Sequence, residues 1–281
     1  MKILILGHKG MLGTDLYARL AAGHAVVGKD IDEIDITDSP ACSDMIGEVQ
    51  PDIVINAAAF TDVDGCESNR EQCFAVNALA VGNIAAACKP RNIAIVHFST
   101  DYVFDGAKGL PYVEDDPPCP INVYGRSKRQ GEEILAASSD NYLLIRSQWL
   151  YGSHGKNFVR TILEKGRSLE TVEVVDDQIG SPTYTADLAQ AVQKLIEGGH
   201  RGTFHVTNRG HCSWFEFAQK IFDLSGLNRA AVRPIPSSRL ARPAIRPAYS
   251  VFSCRKFFDA TGKTLRFWQV ALSDYLGGAG H

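Results

Sequence analysis

The sequence lacks the features that mark a membrane protein, a disulfide framework or a nucleic-acid-binding protein. No run approaches the about 20 apolar residues that a membrane-spanning helix needs. The net charge of −3 gives no electrostatic reason to expect nucleic acid or an anionic membrane as a partner. The seven cysteines are odd in number and contain no Cys-x-x-Cys, and the eight histidines form no metal-ligand pattern. We therefore expect a cytoplasmic protein with reduced thiols and without a bound metal.

The first half of the chain alternates short apolar runs with helical patterns. The predicted strands are Lys2–Leu6, Ala25–Gly28, Asp52–Asn56, Ile93–Phe98 and Tyr142–Arg146, and the predicted helices include Leu12–Ala22, Pro40–Val49 and Gln72–Cys88. Continuous apolar strands separated by helices indicate a parallel sheet that is covered on both faces. Right-handed crossovers then give an α/β fold with a doubly wound, Rossmann-like parallel sheet.

The second half is less regular. Its predicted helices are Asn157–Lys165, Thr185–Glu197 and Ser213–Ser225, with a strand at Thr203–Val206. Residues Arg233–Pro247 carry four prolines and four arginines, which favours an extended segment. We expect residues 1–150 to form a dinucleotide-binding domain. Residues 151–281 should form mostly a smaller C-terminal substrate-binding lobe that covers the cleft, with some segments returning to the first domain. We expect the tail Gly277–His281 to be disordered.

A glycine turn follows the first predicted strand and opens a helix. Gly7, Gly10 and Gly13 give the spacing Gly-x-x-Gly-x-x-Gly, one residue different from the dinucleotide fingerprint. This context provides a tight turn and a helix N-terminus for a pyrophosphate. The alternative is a glycine-rich turn without a cofactor. Asp30 ends the second strand, where an acidic residue binds the ribose, although a plain loop carboxylate is the other interpretation. Lys9 and Lys29 are candidate contacts to a 2′-phosphate, so NADH and NADPH both remain open.

Two further stretches stand at the carboxyl ends of predicted strands, where doubly wound sheets bind ligands. After the third strand, small residues from Asn56 to Thr61 allow the backbone to approach adenine and ribose; simple packing is the alternative. After the fourth strand, Thr100 is placed to hydrogen-bond a reacting oxygen and Asp101 to engage a substrate. Their alternative is a Thr-Asp pair that caps a turn.

Tyr124 and Lys128 are four residues apart on a predicted helix and therefore share one face. A nearby ammonium group favours phenolate over phenol, which predicts a lowered pKa for Tyr124. Such a phenol can exchange a proton with a carbonyl or carbinol oxygen beside a nicotinamide. A surface pair without a function is the alternative, and the surrounding motifs argue against it.

These motifs together resemble the dTDP-4-dehydrorhamnose reductase family of the extended short-chain dehydrogenase/reductase superfamily. The matching stretches are Ser99–Gly106, Tyr124–Lys128 with Gly131 and Glu132, Arg146–Gly152, Asp177–Thr183 and Arg246–Ser250. They extend into the C-terminal lobe, so the resemblance covers essentially the whole chain. It implies that hydride from NADPH or NADH reduces the C4 ketone of dTDP-4-dehydro-L-rhamnose, a dTDP-deoxysugar substrate.

The resemblance also implies a role for individual residues. Tyr124 would donate the proton, Lys128 would bind the nicotinamide ribose and lower the pKa of Tyr124, and Thr100 would tune the transfer. Asp101 and Trp149 would contact the deoxysugar nucleotide. Besides Gly7 and Gly13, the cofactor contacts would be Gly10, Met11 and Leu12 at the pyrophosphate, and Asp30, Asp35, Ile36, Ala58, Ala59 and Thr61 around the adenosine and ribose.

Neighbouring families leave alternatives open. Sugar-nucleotide dehydratases of the superfamily carry Thr-Asp-Glu, whereas Tyr102 stands at the Glu position here, which favours carbonyl reduction over dehydration. A reductase or epimerase of another nucleotide sugar is one alternative. A non-catalytic NADP-binding subunit resembling the regulatory subunit of methionine adenosyltransferase is another. Some family members hold a metal at a dimer interface; no matching carboxylates occur here, so we predict no metal and leave a homodimer open.

Overall fold

Short strands alternate with helices along the described chain, residues 1–227 and 231–278 of this computed structural model. The strands are β1 (Lys2–Leu6), β2 (Ala25–Lys29), β3 (Ile53–Asn56), β4 (Ala94–Thr100), β5 (Tyr142–Ser147), β6 (Leu150–Tyr151), β7 (Thr171–Val175), β8 (Ile179–Gly180), β9 (Thr183–Tyr184), β10 (Gly202–His205), β11 (Cys212–Ser213) and β12 (Ala231–Ile235). The helices are α1 (Met11–Leu20), α2 (Ser39–Val49), α3 (Val63–Ser68), α4 (Arg70–Phe74), α5 (Ala80–Cys88), α6 (Val123–Ser138), α7 (Phe158–Ser168), α8 (Thr185–Glu197), α9 (Trp214–Ser225), α10 (Arg255–Thr261) and α11 (Trp268–Gly278).

Six strands form one parallel sheet in the order β10-β5-β4-β3-β1-β2. The chain runs from β1 outward to β2 and then crosses back to β3 on the other side of β1. This reversal creates a crevice at the carboxyl ends of β1 and β3, where doubly wound sheets bind their ligands. The predicted Rossmann-like fold class is confirmed.

Both faces of the sheet are buried, as the continuous apolar strands require. In β1, Ile3 and Ile5 point into a core that α1 and α8 cover, whereas Leu4 and Leu6 point into a second core beneath α2, α5 and α6. All four side chains are fully buried. The sheet therefore holds the loops at its carboxyl edge on a rigid support.

A separate apolar core holds the second lobe together. It gathers α7, α9 and α11 around the strand pair β7–β12, with Tyr151 and Phe217 fully buried at its centre. Two elements of the second half lie in the main domain instead, because α8 packs its Leu188 and Val192 into the first core and β10 pairs with β5. The domain boundary near residue 150 stays a prediction.

The stretch Arg70–Arg91 forms a nearly continuous helical segment with a π-helical turn at Ala75–Leu79. Among the described residues it is the one helix long and apolar enough to cross a membrane, a feature the sequence analysis did not expect. Its Ala80 and Ile84 are fully buried against the sheet. A core helix of an α/β protein passes the same test of length and composition, so no membrane assignment follows.

Two predictions for the C-terminal region have different outcomes. The proline-rich stretch Arg233–Pro247 contains the end of β12 and a short 3₁₀ turn at Ser237–Arg239 and no long helix, which confirms the extended segment. The tail prediction is wrong at Gly277 and Gly278, because both residues belong to α11. Leu272 and Leu276 of this helix are buried in the core of the second lobe. Residues 279–281 lie outside the described residues.

Candidate active site

The glycine turn between β1 and α1 has the geometry of a dinucleotide loop. Gly7 has φ +79°, a conformation that side chains disfavour, and a Cβ there would lie 2.7 Å from the amide nitrogen of Ala58. A Cβ on Gly13 would lie 2.0 Å from the carbonyl oxygen of Gly7. Gly10 begins α1 without any side-chain cap, which leaves the amides of the first turn, at Met11 and Leu12, available to an anion. These features fit a bound pyrophosphate.

The loop after β3 lies against this turn at Ala58. The contacts of Ala58, Ala59 and Thr61 with adenosine and ribose stay predictions. The position of the loop is fixed by Asn77, a buried residue of the π-helical turn that the sequence analysis missed. The Asn77 side chain accepts a hydrogen bond from the amide of Phe60 (2.9 Å) and donates to the carbonyl oxygen of Phe60 (3.0 Å). It also donates to the hydroxyl of Ser127 on α6 (3.0 Å). An asparagine within an otherwise apolar helix was the available signal, since a buried amide needs partners.

The side chains of Asp35 and Ile36 both make contacts within the main domain. The carboxylate of Asp35 accepts hydrogen bonds from the amide (2.9 Å) and hydroxyl (2.7 Å) of Thr37, which lower its pKa. Ile36 is buried in the core beneath α2 and α5. Contact of these two residues with adenosine stays a prediction. Asp30, in contrast, lies beside the glycine turn and accepts a hydrogen bond from the Lys9 amide (2.8 Å).

Tyr124 and Lys128 lie on the first two turns of α6, which Asn122 caps through the amide of Gly125 (2.7 Å). The Lys128 side chain is buried, and its Nζ lies 3.4 Å from Nε2 of His97 in the middle of β4. Burial and the Lys128 charge hold the pKa of His97 well below its ordinary value. A neutral His97 therefore supports Lys128, and no sequence pattern singled this histidine out.

The predicted lowering of the Tyr124 pKa is wrong for this structure. Burial raises the pKa of Tyr124, and the charge of Asp101 raises it further, while a hydrogen bond with Thr100 acts in the opposite direction. Lys128 is not among the groups that shift the pKa of Tyr124 most, and burial lowers its own pKa to about 8. The phenol therefore stays protonated at neutral pH, the form that a proton donor requires.

Thr100 and Asp101 form a buried hydrogen-bonded group at the end of β4. The Thr100 hydroxyl donates to Asp101 (3.0 Å) and accepts from the amide of Tyr102 (3.2 Å). The other Asp101 oxygen accepts from the hydroxyl of Ser250 in the C-terminal lobe (2.6 Å). Burial raises the pKa of Asp101 to about 6, although Ser250 and Thr100 oppose the shift. Asp101 is thus placed to orient Thr100 toward Tyr124, and its carboxylate is only 3% exposed.

Trp149 lies in an aromatic stack and does not line the cleft between the two lobes. Its ring stacks on that of Trp214 with centroids 3.6 Å apart and an angle of 10°. Its φ of 50° is unusual for a bulky residue, and Gly180 provides the room, since a Cβ there would lie 2.5 Å from the Trp149 ring. Trp214, which the sequence analysis missed, lines the cleft. The contact of Trp149 with a substrate stays a prediction.

The cleft between the two lobes has a volume of about 640 Å³. Thr61 and Tyr102 line it from the main domain, and three cationic side chains line it, namely those of Lys165, Arg242 and Arg246. Arg246 also joins the lobes, because its guanidinium makes two hydrogen bonds (2.6 and 2.7 Å) to the carboxylate of Asp64 on α3. Three carboxylates, those of Asp62, Asp64 and Glu173, line the cleft as well, so its lining is polar and carries both signs of charge. Tyr102 connects the cleft to Tyr124, because the two rings lie edge to face with centroids 5.6 Å apart.

We expect turnover to fall as the pH rises through about 8. The ordinary pKa of a lysine is near 10.5, and burial lowers that of Lys128 to about 8, so its ammonium group loses its proton in this range. The pH profile of kcat/KM tests this, because it reports groups of the free enzyme. Lys128→Met should have lower activity and no such alkaline limb. An unchanged alkaline limb in the variant would assign it to another group.

Comparisons with known proteins show relatives that match along almost the whole chain. The family model described as the RmlD substrate binding domain matches residues 1–279. The chain is 42% identical to the spore coat polysaccharide biosynthesis protein SpsK of Bacillus subtilis, over 98% of this chain and 96% of that protein. It is 41% identical to the dTDP-4-dehydrorhamnose reductase of Mycolicibacterium smegmatis, over 97% of this chain and 84% of that protein.

A solved structure shares the whole fold. The dTDP-4-dehydrorhamnose reductase of Bacillus anthracis, determined in complex with NADP, superposes with a TM-score of 0.96 at 37% identity and covers 99% of each chain. The resemblance drawn from the sequence motifs is confirmed by these matches. The chain belongs to the RmlD substrate binding domain family.

Proposed function

We propose that this protein reduces the C4 ketone of dTDP-4-dehydro-L-rhamnose to give dTDP-L-rhamnose, with NADH or NADPH as the reductant. The observation that carries the proposal is that Tyr124 lies beside Thr100 and beside Tyr102 of the cleft, with Lys128 one turn further along the same helix. The names of its relatives, which include dTDP-4-dehydrorhamnose reductases, support the same substrate. A reduced nicotinamide, when bound, supplies the hydride that the ketone carbon accepts.

The residues of this chain then handle the proton. Tyr124 donates its phenolic proton to the ketone oxygen as the alcohol forms, which balances the hydride delivered to carbon. Thr100 holds the phenol in place, and its own hydroxyl is oriented by Asp101. Lys128, charged below pH 8, provides a positive charge for the developing alkoxide and a donor for a ribose hydroxyl.

The charge and shape of the cleft support a nucleotide diphosphate sugar as the substrate. Arg242 and Lys165 supply cations for a diphosphate, whereas Arg246 is paired with Asp64, and guanidinium groups suit phosphate oxygens. Trp214 and Phe158 supply aromatic walls, which suit a base or a sugar ring. Tyr102 supports reduction over dehydration, because burial raises its pKa to about 12 and it offers no carboxylate for elimination chemistry.

Loss of nicotinamide absorbance with dTDP-4-dehydro-L-rhamnose generated in situ tests the proposal. Oxidation of NADH or NADPH should accompany the appearance of dTDP-L-rhamnose, identified by chromatography. Oxidation with a different dTDP-4-keto sugar, and none with this one, would assign another substrate. Tight dinucleotide binding without turnover of any nucleotide sugar would favour a binding subunit, and capture of a methionine adenosyltransferase would then test that alternative. The cytoplasmic location and the homodimer stay predictions.

A further inference from the structure

A buried series of hydrogen bonds connects the loop after β3 to Lys128, and we call it the relay. The sheet register places Asn56, the last residue of β3, beside His97 of β4. Nδ2 of Asn56 lies 3.3 Å from Nδ1 of His97, and Nε2 of His97 lies 3.4 Å from Nζ of Lys128. All three side chains are at most 2% exposed. Because buried polar groups need partners, the direction of each hydrogen bond in the relay is constrained.

The amide of Ala58 sets that direction. It donates to Oδ1 of Asn56 (3.2 Å), and a main-chain amide can only donate, so the carboxamide oxygen is on this side. Nδ2 of Asn56 then faces His97 and can only donate, so Nδ1 of the imidazole accepts. The ring is neutral, because burial and the Lys128 charge hold its pKa well below the ordinary value. Its one N–H hydrogen is therefore on Nε2, the nitrogen that faces Lys128.

An N–H group at this position suits only one of the two forms of Lys128. The neutral amine has a lone pair that accepts the hydrogen, whereas the ammonium group has three donors and no acceptor. Reversing the relay would let the ammonium group donate to Nε2 of His97. The Asn56 carboxamide would then have to turn and set Nδ2 against the Ala58 amide, which would leave a buried donor without an acceptor. The ammonium form is therefore opposed in both arrangements.

We propose that Asn56 and His97 are positioning residues that weaken the hold of Lys128 on its proton. The relay acts with the burial of Lys128, which also favours the neutral amine. The inference goes beyond the proposed function and rests on it only for the part that Lys128 plays in turnover. The relay also joins Lys128 to the loop that lies against the glycine turn at Ala58.

The other titratable groups around Lys128 do not act in the same direction as the relay. Glu132, one turn further along α6, and Cys73 of α4 both favour the ammonium form. Glu132 is itself paired with Arg146 of β5. Tyr124, one turn earlier on α6, has a raised pKa and stays a neutral phenol. A change made in the relay should therefore be visible as a change in the titration of Lys128.

Nitrogen NMR of the histidine rings tests the direction of the relay in the unaltered protein, without substrate or cofactor. The His97 signals are assigned by their loss in His97→Phe. At a pH above the Lys128 transition, the hydrogen should be on Nε2, with Nδ1 unprotonated. A hydrogen on Nδ1 under these conditions would overturn the inference, and this result does not depend on the folding of any variant in the relay.

Asn56→Asp should reverse the relay with a side chain of the same shape. One carboxylate oxygen keeps the Ala58 amide and the other accepts from Nδ1–H of His97, so Nε2 presents its lone pair to the ammonium group. The pKa of Lys128, followed by NMR of its Cε, should rise by about 1 pH unit or more, and the alkaline limb of kcat/KM should move up with it. Asn141→Asp is the matched control, because Asn141 precedes β5 at the opposite end of the sheet, and it should leave both unchanged.

A double variant separates the relay from the added charge. Asn56→Asp should raise the pKa of Lys128 more in the unaltered background than in His97→Phe, because a phenyl ring transmits no hydrogen bond. Equal shifts in the two backgrounds, or no shift from Asn56→Asp, would overturn the inference. Failure to reduce any nucleotide sugar would overturn the proposed function alone, because the ring hydrogen and the Lys128 titration are both measured without substrate.

Discussion

Replacing Tyr124 with phenylalanine should lower kcat by roughly 10²–10⁴-fold, the usual contribution of a positioned acid. The ring keeps its packing, including the edge-to-face contact with Tyr102, whose ring centroid lies 5.6 Å away. The change therefore removes little besides the phenolic hydroxyl. The dissociation constant for NADH should stay within a few-fold, because the glycine turn and Asp30 are unaltered. Steady-state kinetics with a parallel binding titration measures both quantities.

Tyr151→Phe is the matched control for this experiment. Its hydroxyl is buried in the core of the second lobe and has no hydrogen-bond partner among the described residues. Removing it should leave turnover unchanged and stability unchanged or slightly raised. If Tyr124→Phe retained the unaltered rate, Tyr124 would not be the proton donor and the proposed division of roles would be wrong.

Replacing Glu132 with glutamine should destabilise the fold by about 3–5 kcal/mol, because it leaves a buried arginine without its counter-ion. Glu132 lies two turns beyond Tyr124 on α6, and its carboxylate forms a two-pronged ion pair with Arg146 of β5, with both N–O distances at 2.8 Å. Both side chains are almost fully buried. This pair anchors the helix that carries Tyr124 and Lys128 to the sheet. Urea denaturation measures the free energy of unfolding.

Glu133→Gln provides the control on the same helix. Its carboxylate is exposed and pairs with Arg129 (2.8 Å), so the expected loss is below about 1 kcal/mol. The double variant Glu132→Leu with Arg146→Met should be less destabilised than Glu132→Gln, because no buried charge is left unpaired. Equal losses for Glu132→Gln and Glu133→Gln would show that the buried pair does not anchor α6.

The ion pair of Glu132 and Arg146 also makes the free energy of unfolding depend on pH, and the direction follows from the pKa shift of Glu132. Burial acts to raise the pKa of Glu132, but Arg146 outweighs it and the net shift is downward. A carboxylate whose pKa is lowered on folding contributes stability that is complete above its unfolded pKa, about 4.3. That contribution should be lost as the pH falls through the lower pKa of the folded state. Glu132→Gln should abolish this part of the acid dependence.

Local patterns were enough to predict the fold class, and they supplied the candidate site residues. The run Lys2–Leu6 before a glycine turn predicts a buried strand and a dinucleotide loop, because only backbone geometry and apolar burial are involved. The spacing of Tyr124 and Lys128 predicts one helical face for the same reason. Two-residue strands such as β6 and β8 escaped prediction, since they are too short for any periodicity to show.

The sequence by itself determined the doubly wound sheet, the glycine turn and the order of Thr100, Tyr124 and Lys128 along it. Each of these follows from interactions between residues close in the chain. The tertiary structure alone decided what surrounds them: His97 against Lys128, Ser250 on Asp101, and Trp214 on the wall of the cleft. It also decided the direction of the Tyr124 pKa, because removal from water depends on every element packed around a group and is not encoded in spacing along one helix.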